Sequence, residues 1–167
     1  GYLIEFWLKP AVVALGVPLY LQLEAIKKQL VPILLSQLAG CIIGVVSVVV
    51  IAKLMGAPQE IIYSLAPKSV TTPIAMEVAD TLGGIPALTV CVGLLGSIIG
   101  IKTLKLTRIK SPIAQGLSLG AAAHAVGTST AMDISSKYGA YASLGLTLNG
   151  IFTALLTPTI LRLLGLL

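Results

Sequence analysis

The 167-residue chain is 56% hydrophobic and 10% charged, with a formal net charge of +5 and a mean hydropathy of +1.01. Soluble domains carry about 25% charged residues, so these few charges do not clothe a water-facing surface of this size. The composition excludes a soluble fold and predicts an integral membrane protein whose outer surface is covered by lipid.

The first apolar stretch, Pro10 to Leu23, is a weak candidate for a span, bracketed by Lys9 and Glu24 and interrupted by Pro18. Gly1 stands where a natural start carries Met, with no charged leader region or cleavage motif behind it. This predicts a chain cut from a longer one. Lys27 and Lys28 then precede Pro32 to Ala52, 21 residues without a charge. About 20 apolar residues cross about 30 Å of hydrocarbon as a helix, so this stretch qualifies outright. A polar segment follows over 54–84, and then Ile85 to Ile101, 17 residues and at the short end for a span. Lys102, Lys105, Arg108 and Lys110 come next, then a second polar segment over 111–138, then Gly139 to Leu161, 23 residues without a charge. The basic clusters at 27–28 and 102–110 fit cytoplasmic loops and lipid headgroups. No separate basic domain or aromatic reading surface exists for nucleic acid.

The polar segments carry the chemistry. "SLAPKSVTTPIAMEVADTLGG", residues 64–84, sets Lys68, Ser69, Thr71, Thr72, Glu77 and Asp80 among apolar neighbours, with Pro67 and Pro73 between them. A shift of 56 residues superposes this region on a second copy. "LAGCIIG" at 38–44 falls on "LLGSIIG" at 94–100, with five of seven identical. "LAPKSVTTPIAME" at 65–77 falls on "AAAHAVGTSTAMD" at 121–133, with five of thirteen identical and Glu77 facing Asp133. The expected organisation is a single membrane domain: repeat one over about 33–88, repeat two over about 89–144, and a final span over about 139–163. The fold class is all-α and polytopic, each repeat a transmembrane helix followed by a broken or re-entrant polar segment. The basic clusters orient equivalent spans in opposite directions, an inverted-topology repeat of the kind found in secondary transporters. A polar segment that crosses once makes the repeats parallel instead.

Pro67 and Pro73 break any helix through 64–84. The spacing predicts a new helix from Pro73 to Leu82 capped by Thr72 and ended by Gly83-Gly84. Its copy runs over 129–138, capped by Thr128 and stopped at Gly139. Each helix start carries about half a positive charge and several unpaired N–H groups. With Lys68, Ser69, Thr71, Thr72, His124, Gly127 and Thr128 around them, the two starts form an expected site for a small anion, plausibly a carboxylate. Asn149, alone in an apolar run, is a further candidate contact, although the small residues beside it also suit helix packing. Glu77, Asp133 and His124 are candidates for ion or proton coupling; the plainer alternative makes the two acids dipole-compensating residues near helix starts. Lys68 has a plainer alternative too, as an anchor reaching for the interface.

Nothing points to catalysis. His124 is the single histidine, no triad spacing surrounds it, and no phosphate loop appears. Cys41 and Cys91 lie in apolar stretches without a second ligand, so no metal site, cofactor or disulfide is expected.

"LAPKSVTTPIAMEVADTLGGIPALT", "GLSLGAAAHAVGTSTAMDIS", "LGLTLNGIFTALLTP" and, near the start, "KPAVVALGVPLYLQL" together resemble the LrgB/CidB family of bacterial membrane proteins over essentially all the chain. The resemblance implies a multi-pass protein of the bacterial cytoplasmic membrane, akin in fold to inverted-repeat anion transporters, with further N-terminal spans that this chain lacks. It implies two functions. One is an antiholin-like modulator of murein hydrolases and autolysis acting with a small LrgA/CidA-type membrane partner. The other is a carrier of small carboxylates such as pyruvate, glycolate or lactate, and a homo-oligomer is expected. The family's polar positions correspond to Lys68 through Pro73 and to His124, Gly127 and Thr128, while Ala123 stands where members often have Ser.

Overall fold

A computed structural model describes residues 16–106 and 109–166. All regular structure among the described residues is helical: α1 (Gly16–Leu21), α2 (Leu23–Lys28), α3 (Leu30–Leu54), α4 (Gln59–Leu65), α5 (Thr72–Thr81), α6 (Pro86–Leu106), α7 (Pro112–Ile134) and α8 (Ser136–Leu163). Residues 1–15, including positions 10–15 of the weak 10–23 candidate span, lie outside the described part; the rest of that candidate is α1 and the start of α2.

Among the described residues, two helices are long and apolar enough to cross a bilayer. α3 spans 25 residues and α8 spans 28, about 37 and 42 Å at 1.5 Å per residue. In α3 the buried residues Ile33, Gln37, Cys41, Val45 and Val49 recur every fourth position, one stripe turned inwards. The rest of its surface, including Leu35, Ile43 and Ile51, is exposed although apolar. Such a face suits lipid and not water. α6 takes up the 85–101 span from Pro86 and runs on to Leu106, so Lys102 and Lys105 lie in the helix and not in the expected loop. Lysine is a good helix former, and a cation near a helix C-terminus is favourable.

α8 is the hub, packing on α1, α3, α5 and α7. Its contact with α7 is a backbone-on-backbone seam. A Cβ added to Gly120 would sit 1.8 Å from the Ala142 carbonyl oxygen, and one on Gly145 would sit 2.5 Å from that of Leu117. Only glycine permits that approach, the small-residue packing that membrane helices use in place of a hydrophobic driving force. The contact of α8 with α3 is built differently. Val45, Val49 and Ala52 meet Ile160 and Leu161 through side chains, and the Cys41 thiol lies 3.3 Å from the Thr153 hydroxyl.

The polar segment 54–84 is broken, as its prolines dictate, into α4 and α5 with non-helical backbone between them. α5 starts one residue earlier than expected: Thr71, not Thr72, is the N-cap, without a side-chain hydrogen bond, and Pro73 occupies the first turn. Its end follows the glycines. Gly83 takes φ 80, and the Gly84 amide bonds the Ala79 carbonyl at 2.8 Å, a Schellman-type close. Ser64 then ties α4 to α6, its hydroxyl accepting from the Ile85 amide at 2.6 Å and its carbonyl accepting from Thr89 at 2.7 Å.

The second polar segment departs further from expectation. There is no helix over 129–138 capped by Thr128. α7 runs from Pro112 to Ile134 with its single non-helical residue at His124, α8 begins at Ser136 capped by Ser135, and Gly139 lies inside α8. The break comes at His124 because its φ of 50 and ψ of −138 end one run of helical hydrogen bonds and start another.

Gly120→Ala drives its new methyl into the Ala142 carbonyl and lowers stability by about 3 kcal/mol or more, read as a fall in the melting temperature of the detergent-solubilised protein. Gly40→Ala, with nothing within 4 Å of its added Cβ, leaves that temperature unchanged or slightly raised.

Candidate functional site

The broken backbone leaves carbonyls without helical partners, and buried backbone polar groups must be satisfied within the protein. Two side chains do this. The His124 ring donates through Nε2 to the Lys68 carbonyl at 2.9 Å. The Asn149 amide, on α8, donates to the carbonyls of Ser69 and, at 3.2 Å, Ala121. Asn149 is 3% exposed, so both segment breaks are stitched together in the interior. Lys68 and His124, equivalent under the 56-residue shift, thus touch one another.

Around these breaks lie two cavities. The first, about 640 Å³, opens between α3 and α7 and is lined by Gln37, Lys68, Ser69, Ser118, Ala121 and Asn149 among others. The second, about 630 Å³, lies towards α6 and shares Lys68, Ser69, Ser118 and Ala122 with the first. Both volumes fall in the range of small-molecule sites, roughly 300 to 1,000 Å³. Lys68 and its neighbours therefore form the wall common to the two.

Lys68 is half-buried, and its ammonium donates to the Ser69 hydroxyl at 3.2 Å. Among the described residues it forms no ion pair; the one salt bridge found there is Lys27–Glu24 on the surface. A cation lining a cavity without a carboxylate partner favours an anionic ligand.

Of the residues expected at the site, Lys68, Ser69 and Asn149 line the first cavity, and His124 stands behind Lys68 on its carbonyl. Thr71, Thr72, Gly127 and Thr128 line neither cavity. Thr72 is exposed; Thr128 is fully buried, its hydroxyl donating to the His124 carbonyl at 2.9 Å. Gly127 packs against the Leu119 carbonyl, where an added Cβ would come to 2.3 Å. Glu77 and Asp133 are both exposed, outside the cavities. Among the polar residues lining the cavities, Gln29, Ser36, Gln37, Thr103, Ser111 and Ser118 were missed in the sequence. Gln37 had a signal: it is an amide in a span otherwise free of strongly polar groups, at a position where burial of an amide needs a reason.

Helices of membrane-crossing length, a doubly broken polar centre and an unpaired lysine between two cavities define a class: a helical membrane protein with an internal polar site. Comparison with known proteins narrows it. Residues 1–163 match the LrgB-like family, and the chain belongs to that family. The Bacillus subtilis protein YwbG is 40% identical over 165 residues, covering 96% of this chain and 73% of its own length. Antiholin-like protein LrgB of Bacillus mycoides is 36% identical over 169 residues, covering 99% of this chain and 74% of its own. Its Bacillus cereus counterpart is 35% identical with the same coverage. No solved structure matches the chain.

His124→Ala removes the hydrogen bond to the Lys68 carbonyl and keeps a side chain at positive φ, whereas His124→Gly loses the bond but relaxes the backbone. The glycine variant melts higher than the alanine variant. That reverses the usual helix order, in which alanine is better by about 1 kcal/mol.

Proposed function

We propose that the protein is a secondary carrier of small organic acids, monocarboxylates of the pyruvate, glycolate and lactate kind, in the bacterial cytoplasmic membrane. The observation that carries this reading is Lys68: an unpaired cation on the wall shared by two cavities, with Ser69 beside it. The carboxylate binds at the Lys68 ammonium, and the site opens to one cavity and then to the other. Such alternating access is the working scheme of carriers with broken helices at their centre. The contact between Lys68 and His124 supports an inverted repeat, since residues equivalent under a two-fold axis meet only near that axis. On this reading the protein crosses the membrane several times and works as a homo-oligomer, and its effect on murein hydrolases and autolysis follows from acid flux. Proton or ion coupling would run through His124, because Glu77 and Asp133 lie outside the cavities. The reading needs no catalytic step.

A second reading rests on the name of the relatives, antiholin-like protein LrgB. In it the chain regulates murein hydrolases together with a small LrgA/CidA-type membrane protein and moves no solute. The two readings differ in what Lys68 does. Counterflow of labelled pyruvate, lactate and glycolate into proteoliposomes separates them. Saturable exchange that falls by roughly 10- to 100-fold in Lys68→Ala, and stays within about twofold in the exposed Thr72→Ala, supports the carrier. Absence of exchange with every acid, with the small partner also present, supports the regulator.

A further inference from the structure

Gln37 belongs to the inward stripe of α3, between Ile33 and Cys41 one turn away on either side. It is 6% exposed, lines the 640 Å³ cavity, and its Oε1 is buried without a hydrogen-bond partner. A buried amide acceptor left unpaired costs about 1–3 kcal/mol, and a simple span has no need of it.

Several of the other polar groups lining that cavity are engaged within the protein. Ser36 donates to the Ile33 carbonyl at 2.9 Å, the Lys68 ammonium to the Ser69 hydroxyl at 3.2 Å, and the Asn149 amide to the carbonyls of Ser69 and Ala121. Among the described side chains lining that cavity, Gln37 is the one with a buried acceptor left without a partner. The cavity joins two kinds of group: a cation on the α4–α5 break, fit for a carboxylate, and an acceptor on α3, fit for a donor.

We propose that Gln37 is a specificity-determining residue, its Oε1 accepting a hydrogen bond from a hydroxyl that the ligand carries next to its carboxylate. The site then prefers a 2-hydroxy acid to the 2-keto acid or the unsubstituted acid of the same chain length. Neither of those offers a donor to Oε1, and each leaves it buried and unpaired. Sites built to bond a ligand hydroxyl discriminate strongly against analogues without it. The ligand hydroxyl supplies the bond that the buried acceptor otherwise lacks. This inference rests on the carrier reading above, for which it names the feature of the acid that is recognised.

The test measures competition in proteoliposomes. Unlabelled lactate, pyruvate and propionate compete against labelled lactate in counterflow, for the wild-type protein, Gln37→Met and Gln37→Leu. Stabilisation of the detergent-solubilised proteins by each acid is measured alongside, as a binding readout independent of transport. In the wild type lactate competes about 10-fold better than propionate, and both Gln37 variants bring that ratio to within about twofold of unity. Equal competition in the wild type, or a ratio unchanged in variants that keep the wild-type melting temperature, overturns the role of Gln37 and leaves the carrier standing. Neither exchange nor stabilisation by any acid overturns the carrier reading, and the inference falls with it.

Discussion

Backbone that leaves the helix inside a membrane must find its hydrogen bonds within the protein, and most of the interior follows from that requirement. The chain breaks at 66–71 and again at His124, and the freed carbonyls of Lys68, Ser69 and Ala121 are collected by two side chains, His124 and Asn149. Each of these is the donor for a break in another element. Remove either and a carbonyl is stranded at depth, where the penalty exceeds the worth of an ordinary surface hydrogen bond. The polar centre is thus a mutual arrangement, in which the first broken segment is completed by the second and both by α8.

That arrangement decides which groups remain for chemistry. His124 and Asn149 have their donors committed to backbone, and the hydroxyls of Thr128, Ser129 and Thr130 return to carbonyls of their own helix. Facing the cavities are the Lys68 ammonium with its serine, the Ser118 hydroxyl and, in the first cavity, the Gln37 acceptor. The first cavity thus presents a cation and a neutral acceptor in a space whose other walls are largely aliphatic.

Much of this was legible in the sequence, because composition and proline placement act locally. The two long spans over 32–52 and 139–161, the break around Pro67 and Pro73, the glycine close of α5 at Gly83 and the placing of Lys68 and His124 at one polar centre were each readable from residue type and spacing. The position of the second break was not. Propensity offers no warning that a histidine will adopt φ 50 inside an alanine-rich helix. Thr128, which has the look of a cap, instead donates back to the His124 carbonyl as a buried helical threonine. The cap of α5 slipped from Thr72 to Thr71 because adjacent threonines offer the same hydroxyl one residue apart. Gln37 needed tertiary structure: an amide in a span announces itself, but whether its oxygen finds a donor depends on α7 and α8, far along the chain.

The glycine seam between α7 and α8 has a mechanical meaning. With the backbone of one helix against the backbone of the other at Gly120 and Gly145, no side chain lies between them to change rotamer and take up slack. The pair is a single stiff strut. α3 meets α8 through valine and isoleucine side chains, a bearing surface that tolerates a small slide. The 640 Å³ cavity lies on that same border, between α3 and the strut. Displacement of α3 relative to the strut changes the width of the cavity while Lys68, Ser69 and Asn149 keep their spacing.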